Sequence, residues 1–131
     1  MANRPSPREL YAKVNHALEA LQAGRRDFGT RKHWAGDSDQ LALSSAAELW
    51  ELLPVLLAEI KQARPEQCYA GARPPQRSYE AEAQIKNEEL WAFAWQSHKM
   101  ARRMYLKFVL TKTPRGEWHY FHLDCHFDAS K

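Results

Sequence analysis

The chain predicts an α+β fold, with two N-terminal helical regions packed on a C-terminal three-stranded antiparallel sheet. Three observations predict it. Apolar residues recur at helical spacing through the first half of the chain. The period changes to two from Leu90 onward. A proline-bearing connector separates the two regimes. At 131 residues the expectation is one domain. Its helical part covers about 1–67, its connector about 68–89 and its sheet about 90–127.

The first helix is expected from about Pro7 to Ala23. Ser6 stands at the N-cap, Pro7 at the first helical position, and Glu9 completes an S-x-x-E capping box. Leu10, Val14, Ala17, Leu18 and Leu21 form the apolar stripe, and Gly24 is a natural stop. Residues 25–39, "RRDFGTRKHWAGDSD", read as a polar loop. Basic residues alternate there with Phe28 and Trp34, a mixture that suits either nucleic-acid contact or a surface loop pinned by two rings.

The second helical region, 44–63, opens on another S-x-x-E pair, Ser45 and Glu48. Leu49, Leu52, Leu53, Leu56, Leu57 and Ile60 make a wide stripe. Pro54 lies inside it and predicts a kink or a break. Beyond the connector, residues 80–89 read equally as a short polar helix or a loop. The sheet then alternates: Trp91, Phe93 and Trp95 share one face of "LWAFAWQS", and Met104, Leu106, Phe108 and Leu110 share one face of "RRMYLKFVLTK". "TPRGE" is the turn into the last strand, "WHYFHLDCHF". Strict alternation puts Phe121, Leu123, Cys125 and Phe127 in the core. It puts Tyr120, His122, Asp124 and His126 on the opposite face.

Two cysteines, Cys68 and Cys125, are too few for a disulfide framework. No apolar run approaches a membrane span. The start "MANRPSPREL" lacks the apolar middle of a signal peptide, which predicts a cytoplasmic protein. The net charge is only +3, yet between Glu89 and Glu117 every charged residue is basic: Lys99, Arg102, Arg103, Lys107, Lys112 and Arg115. Such a run can attract a polyanion such as RNA, or an acidic protein partner.

If the last two strands pair as a hairpin, Tyr105 and Lys107 fall on the face that strict alternation gives His122, Asp124 and His126. A phenol, an ammonium, two imidazoles and a carboxylate can perform acid–base chemistry on a phosphodiester. The spacing of His122, Asp124 and His126 also suits a metal site on one strand face. A solvated strand covered by its own rings is the plain alternative. Trp91, Trp95 and Trp118 are candidate contacts for nucleic acid or a partner.

The segments "CYAGA", "WQS", "MYLKF" and "HYFHLDCHF", in that order, resemble the C-terminal half of the MqsR group of small bacterial toxins, relatives of the RelE-like mRNA interferases. The resemblance covers about half of the chain. It implies a ribonuclease that needs no metal or other cofactor and is held inactive by an antitoxin. It places a catalytic glutamine on Gln96 and a catalytic tyrosine on Tyr105. The family's lysine falls on Ala70, so a basic group at Lys107, Arg103, His122 or His126 would have to replace it. The competing expectation is a non-catalytic module (immunity protein, antitoxin, inhibitor or adaptor) that binds an acidic partner through the basic hairpin.

Overall fold

The computed structural model describes residues 5–28, 40–71, 77 and 85–128. The elements, in chain order, are α1 (Pro7–Ala23), β1 (Arg26–Phe28), α2 (Ala46–Gln62), a single turn α3 (Pro65–Cys68), β2 (Leu90–Ser97), β3 (Arg102–Lys112) and β4 (Trp118–Phe127). The α+β class and its N-to-C order are as expected. Arg31, Lys32 and Trp34 of the basic segment, and residues 80–84, lie outside the described residues.

α1 begins and ends where its caps dictate. Ser6 Oγ accepts from the Glu9 N–H at 3.0 Å. Gly24 takes the left-handed conformation, with φ 81°, and its N–H bonds back to the Ala20 and Leu21 carbonyls. In α2 the cap differs from the expected box. The Ser45 side chain makes no capping bond; Glu48 instead accepts from the Ser44 N–H. The helix also runs unbroken through Pro54. Its stripe of Leu49, Leu53, Leu56, Leu57 and Ile60 is fully buried. That burial outweighs the loss of one backbone donor at the proline.

Among the described residues the sheet has four strands, not three, in the order β1-β4-β3-β2. The added strand, β1, pairs parallel to β4, with Arg26 opposite Tyr120 and Phe28 opposite His122. Three residues are too short for alternation to show, which is why the segment reads as loop. Both helices pack on one face of this sheet. The core joins Leu10, Val14 and Leu21 of α1 to the α2 stripe and to Trp91, Phe93, Trp95, Leu106, Phe108 and Tyr120. The other face carries a small second cluster: Ile85, Leu90, Val109, Phe121 and Leu123.

Strict alternation fails in β4. Lys107 pairs with Asp124 and Phe108 with His122, so Leu123 is an extra residue in a β-bulge. Beyond this point the faces exchange. Tyr120 and His122 are buried on the helical side together with Cys125, while Phe121 and Leu123 belong to the outer cluster. The expected grouping of Phe121 and Leu123 with Cys125 is therefore corrected, as is that of His122 with Asp124 and His126.

The β2–β3 turn is tied to α2 by a single carboxylate. Glu59 accepts from the Trp95 indole N–H at 3.0 Å, from the Ser97 hydroxyl at 2.7 Å and from the Lys99 backbone N–H at 2.7 Å. Burial pushes the Glu59 carboxyl up, but these bonds and one from the His98 backbone outweigh it and hold it below its ordinary 4.5. A carboxylate with a lowered native pKa stabilises the fold fully above its ordinary value. That contribution is lost as the pH falls through the lowered native value. Glu59→Gln should cost about 1–2 kcal/mol at neutral pH. It should also flatten the loss of stability below pH 4.5 in urea titrations run at stepped pH.

Candidate functional site

The outer face of the sheet holds three cross-strand rows. Gln96 lies opposite Arg103, Ala94 opposite Tyr105 and Ala92 opposite Lys107. On the other side of β3, Tyr105 faces His126 and Lys107 faces Asp124. Asp128 closes the first row: its N–H bonds to the Arg103 carbonyl at 3.0 Å, and its carboxylate accepts from Arg103 Nε at 3.0 Å. The residues opposite Tyr105 and Lys107 on that flank are the small side chains of Ala94 and Ala92.

Within the rows the groups touch. Lys107 Nζ stands 3.1 Å from Asp124 Oδ2, with both side chains about a third exposed. The Tyr105 and His126 rings stack, with centroids 5.2 Å apart and an interplanar angle of 24°. His126 Nδ1 lies 3.0 Å from the Phe127 carbonyl. A carbonyl can only accept, so Nδ1 carries the proton and Nε2 is the nitrogen with a lone pair to offer. Burial pushes the Tyr105 phenol above its ordinary value of 10.0. The Lys107 ammonium pulls it down, and the Asp124 and Asp128 carboxylates push it up again. Tyr105 is accordingly a proton donor, not a phenolate, through the neutral range.

Tyr105, Lys107, Asp124 and His126 therefore come together, with Arg103 and Gln96 in the next row. His122 does not join them. It is fully buried on the helical side, edge-on to Phe28 at 6.0 Å and with Nδ1 3.3 Å from the Tyr120 hydroxyl. This separates the three residues of the metal alternative, His122, Asp124 and His126, onto two faces. Among the described residues no group of three histidine, cysteine or acidic side chains is placed to hold a metal ion.

Two of the three candidate tryptophans are core residues. Trp91 is 1% exposed and Trp95 4%, so neither offers a surface ring. Trp118 is half-buried between α1 and the end of β3. The cations of the basic run are also spread out. Lys99, in the β2–β3 turn, and Arg102, whose guanidinium lies 3.7 Å from the Phe127 ring centroid, sit at one end of β3. Lys112 and Arg115 sit at the other, roughly 33 Å away for an extended strand. Cys68 is buried, and burial raises its thiol above its ordinary value, which leaves it a poor nucleophile.

Sequence reasoning missed the bulge that splits the histidines, and it missed Asp128 as the partner of Arg103. The signal for the first was the run Phe108-Val109-Leu110, apolar on both parities. It marks a stretch of sheet covered on both faces, where alternation cannot assign sides.

Searches of protein-family models, curated proteins and solved structures find no match for this chain. No described helix is long and apolar enough to cross a membrane.

The two histidines should separate cleanly in denaturation experiments. His122→Ala empties a buried site and should cost about 2–3 kcal/mol in urea unfolding. His126→Ala, on the half-exposed face, should stay within about 1 kcal/mol of the parent.

Proposed function

We propose that the chain is a metal-independent endoribonuclease that uses the outer face of its sheet, and that it acts as the toxin of a toxin–antitoxin pair. One observation carries the catalytic part: His126 is held in the tautomer that offers Nε2 and is stacked on a protonated phenol, beside two cations. Nε2 takes the proton of a ribose 2′-hydroxyl as that oxygen bonds to phosphorus. The bond to the 5′-oxygen breaks, and that oxygen takes the Tyr105 hydroxyl proton. Lys107 and Arg103 face the negative charge that builds on the phosphorus oxygens. Water then restores the proton of Tyr105 and removes the one on His126. Gln96, in the row of Arg103, is placed to hydrogen-bond a base or a sugar. The toxin part rests on the order of the "WQS", "MYLKF" and "HYFHLDCHF" segments.

A second reading has its own support. Lys107 and Arg103 are both paired with carboxylates, which makes the face mixed in charge, as a protein-binding surface often is. A non-catalytic module docking an antitoxin or another acidic partner would use the same residues.

The experiment that tests the first reading is cleavage of an end-labelled single-stranded RNA in the presence of EDTA. The expected products carry 2′,3′-cyclic phosphates. His126→Ala and Tyr105→Phe should each slow cleavage by about a hundredfold or more, whereas His98→Ala, in the exposed β2–β3 turn, should match the parent. If the parent protein leaves RNA intact, the catalytic reading falls and the binding reading stands.

A further inference from the structure

A second constellation lies at the opposite end of the sheet, on the helical side. Two ammonium groups hang over one indole. Lys13 Nζ is 4.7 Å from the Trp118 ring centroid and Lys112 Nζ is 5.2 Å from it. Lys13 also lies 5.2 Å from the Trp91 ring. His16, one turn along α1 from Lys13, stacks flat on Trp118, with centroids 4.4 Å apart and an interplanar angle of 16°.

Three features make this arrangement electrostatically incomplete. Neither Lys13 nor Lys112 has an acidic partner among the described residues. Two carboxylates of this region, Glu19 and Glu117, are engaged by Arg25, at 3.5 and 3.7 Å, and Arg25 Nε is itself bonded to the Trp118 carbonyl at 2.8 Å. Glu9, one helical turn before Lys13, makes no ion pair with it among the described residues. His16, moreover, has a buried Nδ1 with no hydrogen-bond partner. Its pKa is held below 6.5 first by burial and then by Lys13 and, more weakly, Lys112, against the opposing pull of Glu19. Two like charges gathered on one ring, beside an imidazole whose pKa is lowered, have no ion-pair partner among the described residues. Cation–π contact holds both ammonium groups in place, so an anion would find them already ordered. Arg115, at the exposed tip of the adjoining turn, adds positive charge to the approach.

We propose that Lys13 and Lys112, seated on Trp118 and flanked by His16, form a binding site for a phosphate group. It is separate from the Tyr105–His126 face. The indole is already stacked on the His16 ring, so the site recognises the charged phosphate and does not offer an open ring to a base. A free phosphate and the terminal phosphate of a nucleotide or oligonucleotide share this chemistry.

The test is nuclear magnetic resonance of the full chain at constant ionic strength. It uses inorganic phosphate in one arm and a 5′-phosphorylated single-stranded oligonucleotide in another, with the unphosphorylated oligonucleotide for comparison. Saturable shifts are expected at the Trp118 indole N–H and the His16 ring, with an upward move of the His16 pKa. Lys13→Gln and Lys112→Gln should each weaken binding about tenfold. Saturation by inorganic phosphate alone identifies the free anion as the ligand. Tighter binding of the phosphorylated than the unphosphorylated oligonucleotide identifies a phosphorylated end. The proposal is overturned if neither arm saturates, if chloride produces the same shifts, or if the double variant, shown folded by its amide spectrum, binds as the parent does. The readout is binding and not cleavage, so it stands or falls apart from the ribonuclease reading.

Discussion

Opposite Lys107, the last strand carries two residues, Leu123 and Asp124, where regular pairing allows one. The side chains of β4 depend on that insertion for the face they occupy. Before it, Tyr120 and His122 turn toward the helices and complete the aromatic core with Phe28, Trp50 and Phe108. After it, Asp124 and His126 turn outward, into reach of Lys107 and Tyr105. A regular strand would put His122 outside and deprive the core of a ring, or would bury Asp124 without its ammonium. Burying an unpaired carboxylate costs far more than accommodating one unpaired backbone position. The bulge is thus the device by which one strand serves an apolar layer and a polar one.

The polar layer is poised by weak pairings. An ion pair whose members are about a third exposed contributes only about 0–1 kcal/mol, so the Lys107–Asp124 contact orders both side chains without locking them. In the proposed ribonuclease, a substrate phosphate would compete for Lys107 on nearly equal terms. Arg103 is different in degree: the Asp128 carboxylate that holds it is only 8% exposed, and the pair is reinforced by the backbone bond from Asp128 to the Arg103 carbonyl. Arg103 is the fixed cation of the face and Lys107 the adjustable one. Tyr105, raised by burial and by two carboxylates, stays protonated beside an imidazole whose tautomer a carbonyl has set. The acid and the base proposed for this face are thus distinguished by their surroundings, not by residue type alone.

Much of this was legible in the sequence, and the reasons for the remainder are physical. α1 has exact local signals at both ends, Ser6 with Pro7 and Gly24, and those caps act within one turn of the chain. β2 and β3 carry enough period-two patterning for their spans to follow, although Phe108-Val109-Leu110 is apolar on both parities. What could not be read depends on contacts distant in sequence. β1 exists because Arg26–Phe28 finds a parallel edge on β4, and three residues carry no period of their own. The unbroken course of α2 past Pro54 reflects burial of its leucine stripe against the sheet. Tyr105, Lys107, Asp124 and His126 were brought onto one face by their spacing, but His122 was included by a parity that the bulge cancels.

The abundance of tryptophan follows from the same economy of space. A two-layer domain of this size has few positions that contact both layers, and large rings span the gap. Trp91 and Trp95 lie in the sheet under the helices, and Trp95 also donates to Glu59, tying strand to helix. Trp50 stacks on Phe28 and receives Arg26 at 5.4 Å, closing the core over the short parallel strand. Three of the five tryptophans are thereby committed to holding layers together, so an excess of tryptophan does not by itself indicate a binding surface here. Trp118 differs in its company. The groups that cover it are two ammonium ions and an imidazole, each of which would rather be in water or beside an anion. Packing alone does not account for that choice, because an aliphatic side chain at position 13 or 112 would cover the ring without the repulsion between like charges.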